Sequence, residues 1–511
     1  MSIHCGGPGL LPARPHYEPD VANALAARNT PAAPQTPNPG RKPGRERLHY
    51  VKIIRDFAAL RRVPKPCQSW PASVAARHDK RVKSTRTGLA RPVLLILRTS
   101  EPRERHMPYR TIIRNILWML TERGAQIAGG IAVSGLLARS LGAAQFGLFQ
   151  YAQSLVFLAA SLTLLCGSEV VVPRLVGKPE ADQRTVIAHA FVLRLAAAAV
   201  AYTILAAYLI GFAESDLVAV ALWLGVALWF REPFGIVIAW LQARTFNRPS
   251  VSANLCGLGV KLALVAVLFL MHAPVAAFAV VYAIEAIVAA ALLVRYYLKH
   301  SPKTPVIWQR QLLLDLLASG MTFWGGLMLM ILFKRIDQLV LKPLIPLSAL
   351  GAYAAAMQIT ENFVLVAPII ANSLAPQLIF QTADNATARR NTVRAVWLMV
   401  AAGASLAIPI ALLAPWIVHL IYGAGFAESA QILRVSALMG ILVFADAALN
   451  LTLIRRGAGR WVIAKWLCAA AVAFVVVRGL APQFGALAGA LGFGAGYAAA
   501  LVVGVWLLRR D

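Results

Sequence analysis

The sequence predicts an all-α polytopic membrane protein of about twelve transmembrane helices. Three observations carry this. Of the 511 residues, 59% are hydrophobic, and the mean hydropathy is +0.65, which leaves too little polar surface to cover a soluble globule. From residue 112 onward the chain reads as apolar runs of about 20 residues, the length that crosses a hydrocarbon core. The basic residues between the runs fall almost entirely on one side.

Residues 1–106 differ in kind. They are rich in Pro, Arg and Ala and hold 20 Lys and Arg against 7 Asp and Glu, the composition of a basic disordered extension. No apolar run here reaches the length of a signal-peptide core; "LARPVLLILRT" at 89–99 comes nearest. Two readings stand. One is a basic arm held by anionic lipid headgroups. The preferred one is a start at Met107, since "MPYRTIIRNILWMLTERG" has a short cationic lead and then a helix, with 1–106 outside the native protein.

Twelve apolar runs follow, near 112–137, 146–168, 186–212, 216–241, 252–271, 274–297, 312–336, 347–372, 393–414, 429–453, 461–478 and 484–508. With the N-terminus inside, the cytoplasmic connections 169–185, 242–251, 295–311, 373–394 and 454–465, together with the tail, hold eighteen Lys and Arg. Arg174, Arg244, Lys299, Arg390 and Lys465 are among them. The opposite side holds Arg139, Lys342 and Arg478. A missed or invented span would scramble this asymmetry, so both termini are expected in the cytoplasm. Every connection is short, and no catalytic domain fits outside the membrane.

The two halves share landmarks. "LGAAQFGLFQYAQ" (141–153) and "LSALGAYAAAMQ" (347–358) place Gly147 and Gly351 204 positions apart, and "VVPRL" and "LAPQL" place Pro173 and Pro376 203 apart. Near-equal offsets predict a duplicated six-helix unit, with lobes at 107–300 and 301–511. The repeat is parallel, about an axis near the membrane normal. The five cysteines, Cys5, Cys67, Cys166, Cys256 and Cys468, are scattered without a CxxC pair or metal-ligand spacing, so no disulfide framework or metal site is expected.

Three stretches resemble bacterial oligosaccharide flippases (Wzx-type polysaccharide exporters). "LLARSLGAAQFGLFQYAQSLVFL" is similar to their signature between the first two helices, and "RIDQLVLKPLIPLSALGAYAAAMQITEN" to the region of their seventh and eighth. "IYGAGFAES" (421–429) is similar to the loop before their tenth. The resemblance covers 110–510. It places the chain in the multidrug/oligosaccharidyl-lipid/polysaccharide exporter superfamily. It implies two six-helix lobes, a central cavity, alternating access, and residence in the bacterial inner membrane. The implied cargo is an undecaprenyl-pyrophosphate-linked glycan, moved to the periplasmic leaflet for exopolysaccharide or O-antigen production.

Thirteen ionisable residues in and beside the runs are taken as candidates, because intramembrane charges are functional hypotheses by default. Seven are basic (Arg123, Arg194, Arg231, Lys261, Lys334, Arg335, Arg434) and six acidic (Glu122, Glu232, Glu285, Asp337, Glu361, Asp446). Helical spacing groups Lys334, Asp337 and Gln338 in one stripe, Gln358, Glu361 and Asn362 in a second, Gln150, Gln153 and Ser154 in a third, and Glu122 with Gln126. A diphosphate head needs cations to offset its lost hydration, so Arg123, Arg231, Lys334, Arg335 and Arg434 are the expected cargo contacts. Gln153, Gln358 and Asn362 would serve the sugars. Glu122, Asp337 and Glu361 are the candidates for coupling to H⁺ or Na⁺; no other cofactor is expected.

The bland reading sets Lys334 and Asp337 as a fixed pair and lets Lys342 and Arg194 snorkel to the interface. Two rivals share the superfamily: a multidrug exporter, favoured by an acidic cavity, and a lipid II flippase, which often carries additional helices. A membrane glycan polymerase or ligase is disfavoured by the short loops, and no nucleophile constellation is present, so transport without chemistry is expected. Expected partners are the lipid-linked glycan, membrane lipids and other polysaccharide assembly proteins, and no nucleic acid.

Overall fold

In the computed structural model the described residues are 109–301, 303–375, 378, 385–455 and 459–509, and they are almost wholly helical. The extension 1–106, the expected start Met107 and the repeat landmark Pro376 lie outside them.

The helices follow the apolar runs, and their breaks fall where Gly or Pro interrupts the hydrogen-bond ladder. The first element, Tyr109–Thr163, is broken at Gly142, which has φ 70° and ψ 172°, a conformation essentially reserved for glycine. Two arms result, α1 (109–141) and α2 (143–163). A 3₁₀ turn, Leu164–Cys166, leads into α3 (Ser168–Leu175), which carries Pro173. The third span is α4 (Glu180–Phe212). The fourth comes in three pieces, α5 (Ser215–Gly225), α6 (Ala227–Phe234) and α7 (Ile236–Ala243), with Pro233 just before the second break. Two unbroken helices, α8 (Arg248–Leu270) and α9 (Val275–His300), complete the first lobe.

The second lobe repeats the order: α10 (Arg310–Leu341), α11 (Leu347–Val364) with α12 (Val366–Ala375), and α13 (Asn385–Leu412) with α14 (Ala414–Tyr422). It ends with α15 (Ser429–Arg455), α16 (Gly459–Phe484) and α17 (Leu487–Arg509). Ten helices among the described residues are long and apolar enough to cross a membrane, or eleven with α10, which bends by 44° between Arg310–Met321 and Trp324–Leu341. The first of the ten, Thr121–Leu175, contains the break at Gly142 and so makes two spans, which brings the count to the expected twelve.

The largest apolar core joins the two lobes at the end of the bundle that bears the α1–α2 and α10–α11 turns. Phe146 of α2 lies there 5.7 Å from Phe426 and 6.2 Å from Tyr422 between ring centroids, and all three are buried. Helix α10 belongs to both lobes. Its first part sets Leu312 and Leu316 into the first-lobe cluster around Trp240. Its second part sets Phe333 against Trp466 and Tyr497 in the second lobe. The 44° bend lies between these two attachments.

Candidate functional site

The seam between the lobes is built on α1 and α2 facing α10 and α11. Gly147 and Gly351 meet there without side chains between them. A Cβ on Gly147 would run into the Leu347 carbonyl oxygen and the Gly351 amide nitrogen, and one on Gly351 into the Ala143 carbonyl oxygen and the Gly147 amide nitrogen. Ala143 and Leu347 are 204 positions apart, as are the two glycines. The hydrogen bonds obey the same shift. Ser134 Oγ donates to Gln358 Oε1 at 2.8 Å, and Ser154 Oγ donates to Gln338 Oε1 at 2.5 Å. Adding 204 to Ser134 gives Gln338, and adding it to Ser154 gives Gln358. The seam is therefore self-complementary, as an interface on a two-fold axis must be. Gln150 Nε2 adds a bond to Gln358 at 3.0 Å, and Arg139 caps the end of α14 through the carbonyls of Leu420 and Ile421.

The charged stripe of α10 divides on folding. Arg335 crosses to α11 and donates to both oxygens of Glu361, at 2.8 and 3.2 Å, the fork geometry that suits guanidinium and carboxylate. Its guanidinium also lies 4.9 Å from the ring of Phe157, the residue 204 positions before Glu361. Asp337 is buried and accepts from the Tyr353 hydroxyl and, at 2.7 Å, from the Gln338 N–H. Its partner is Tyr353, where a fixed Lys334–Asp337 pair was the alternative. Lys334 is exposed and has no ion-pair partner among the described residues.

A cavity of about 560 Å³ opens within the first lobe. Its wall carries Gln126, Glu169, Arg194, Arg231, Glu232, Asn254, Lys261 and Glu285, with Leu327 lining it from α10. Acidic and basic groups are equal in number, so the wall is charge-balanced. Lys261 Nζ and Glu285 Oε2 are paired at 2.8 Å. Arg194 is buried and donates to the carbonyls of Cys166 at 2.7 Å and Glu232 at 2.9 Å. Those carbonyls sit at the 3₁₀ break after α2 and at the Pro233–Gly235 break, where ladder partners are missing. Arg194 thus staples two broken helices and does not snorkel. Arg231, Glu169 and Glu232 keep side chains free of ion pairs among the described residues.

Of the five expected cargo cations, Arg231 lines this cavity and Arg335 lies in the seam. Arg123, Lys334 and Arg434 are exposed elsewhere on α1, α10 and α15. Arg123 Nη1 reaches Gln126 Oε1 at 3.5 Å. Gln358 is a seam residue; Gln153 and Asn362 are half-buried. Glu122 accepts from Asn254 Nδ2 at 2.7 Å and Gln126 Nε2 at 3.3 Å, which puts it at the edge of the first-lobe cavity. Sequence reasoning missed the pair of Lys465 with Asp446, at 2.9 Å with 0% and 4% of the side chains exposed. It set Lys465 in a cytoplasmic connection, although the residue lies inside the apolar run 461–478, and that position was the available signal.

The model of the polysaccharide biosynthesis protein family matches residues 112–379, a little over half of the chain. The chain belongs to that family. Solved structures share its fold. A multidrug resistance MATE family transporter of the MOP superfamily, inward-facing, is 16% identical over 78% of this chain and 99% of that one, with a TM-score of 0.60. The lipid II flippase MurJ, in an inward closed conformation, is 11% identical over 78% and 87%, with a TM-score of 0.62. A MOP superfamily transporter from Pyrococcus furiosus is 15% identical over 78% and 95%, with a TM-score of 0.54. These likenesses establish the two-lobed fold. No curated protein matches the chain. The polysaccharide biosynthesis family member is a multi-pass membrane protein, and the flippase resemblance of the sequence holds at the level of family and fold.

Proposed function

We propose that the protein carries a lipid-linked oligosaccharide across the bacterial inner membrane by alternating access and catalyses no reaction. The first-lobe cavity carries this reading. Charged groups inside an apolar bundle are costly unless they are paired or wet, yet Arg231, Glu169 and Glu232 line a cavity without ion pairs among the described residues. A hydrated glycan explains them. Carboxylates and the amides of Gln126 and Asn254 are acceptors and donors for sugar hydroxyls, and Arg231 offers a fork to a pyrophosphate oxygen pair. The polyprenyl chain stays in lipid. In this reading both termini are cytoplasmic, the seam is the closed end of the pathway, and other polysaccharide assembly proteins receive the product. Glu122, Asp337 and Glu361 are the proposed sites for a coupling ion.

Deleting the gene should make the undecaprenyl-pyrophosphate-linked glycan accumulate on the cytoplasmic leaflet, and a plasmid copy should clear it. Absence of any accumulated lipid-linked glycan overturns the reading. One observation favours a second reading: the charge balance of the cavity leaves Glu169 and Glu232 able to take a cationic drug. A raised sensitivity of the deletion strain to ethidium, with polysaccharide unchanged, supports that exporter instead.

A further inference from the structure

The second lobe holds a buried ammonium in an oxygen nest between α15 and α16. Lys465 of α16 has no exposed side-chain surface. Its Nζ donates to Asp446 Oδ1 at 2.9 Å, Asp446 Oδ2 at 3.1 Å and Asn450 Oδ1 at 2.5 Å. Every N–H of the ammonium therefore has an oxygen. The centroid of the Trp466 ring lies 4.5 Å from Nζ. Asn450 Nδ2 in turn donates to Asp446 Oδ2 at 2.9 Å, so the two oxygen-bearing side chains also hold each other. Asp446 and Asn450 are one turn apart on α15, and Lys465 reaches them from the neighbouring helix.

We propose that this nest is a monovalent-cation site of the second lobe, permanently filled by the protein's own ammonium. The oxygens are of the kind a hard cation takes: a carboxylate and an amide carbonyl. A single positive charge is what this one carboxylate balances, and an aromatic face also attracts cations. A buried Asp446 left alone would be uncompensated and costly, so the nest needs a cation at all times. Tethering it to Lys465 makes occupancy independent of Na⁺ in the surroundings. Na⁺ then has no purchase at Asp446, and any ion coupling runs through other residues. The inference stands whatever the cargo is.

The test is ²²Na⁺ binding to the purified full-length protein, with choline chloride holding ionic strength constant. The wild type should show no saturable binding that Asp446→Asn removes. Lys465→Ala opens the nest, where water completes the shell, and should gain one saturable Na⁺ site. The double variant Lys465→Ala with Asp446→Asn should lose that site again. Lys465→Ala should also gain thermal stability with rising Na⁺, as a ligand that binds only the folded state requires. If Lys465→Ala is recovered as monodisperse protein only when solubilised in Na⁺, that too supports the proposal. The proposal is overturned by Asp446-dependent Na⁺ binding in the wild type, by a folded Lys465→Ala without Na⁺ binding, or by its recovery in neither salt.

Discussion

Gly147 and Gly351 press on each other, each against the carbonyl of the residue four positions before its partner. This reciprocity places the pseudo-two-fold axis between α2 and α11. Adding a Cβ at either position forces the helices apart. Gly351→Val should cost about 1–3 kcal/mol, the range for overpacking, and lower the melting temperature of the purified protein. Gly130→Ala, on α1 where a Cβ meets nothing within 4 Å, should leave it unchanged.

The two Ser–Gln bonds of the seam are related by the same shift, so they should contribute alike. Double-mutant cycles on Ser134 with Gln358 and on Ser154 with Gln338 should each give a coupling of about 0.6 kcal/mol, the average for such bonds in a membrane protein. Unfolding in mixed micelles measures it. Gln358 also accepts from Gln150, so the comparison requires Gln150 intact in both cycles.

Asp337 and Arg335 hold α10 against α11 through Tyr353 and Glu361. Arg335→Ala and Asp337→Ala should abolish export of the native glycan while membrane insertion persists. Tyr353→Phe leaves the Gln338 N–H as the one remaining donor to Asp337 among the described residues and should cost about 1–3 kcal/mol. Exposed Lys334, changed to Ala, should shift stability by no more than about 0.5 kcal/mol. Thermal denaturation with export assays in the same membranes separates these effects.

Arg194 serves the fold rather than the cargo. Arg194→Met removes donors from the Cys166 and Glu232 carbonyls and should lower stability by about 1.5–3 kcal/mol for a charge-assisted bond. The protein that remains folded should export at an unchanged rate per molecule. A loss of export at normal folded yield would place Arg194 among the cargo contacts instead.

The helices and the repeat were legible because length, hydropathy and small-residue spacing are local properties. The seam was half legible. The sequence marked Gly147, Gly351, Gln338 and Gln358, but only the fold pairs each glutamine with a serine of the other lobe. The charges were the hardest to place. Arg335 and Lys334 are neighbours, yet one is bound by Glu361 and the other is exposed, because a helix turns adjacent residues about 100° apart. Arg194 and Lys465 found their partners on other helices, at distances in sequence that no periodicity encodes. The cavity itself depends on the breaks at Pro233 and Cys166, which composition does not locate.

In the proposed function the first-lobe cavity carries a lipid-linked glycan, with Arg231 on its anionic head. The most direct measurement is the leaflet distribution of the undecaprenyl-pyrophosphate-linked glycan in cells of the deletion strain carrying Arg231→Ala at wild-type protein level. The glycan should stay on the cytoplasmic leaflet, as without the gene, while Arg231→Lys should restore part of the transfer. Wild-type transfer by Arg231→Ala would contradict that function.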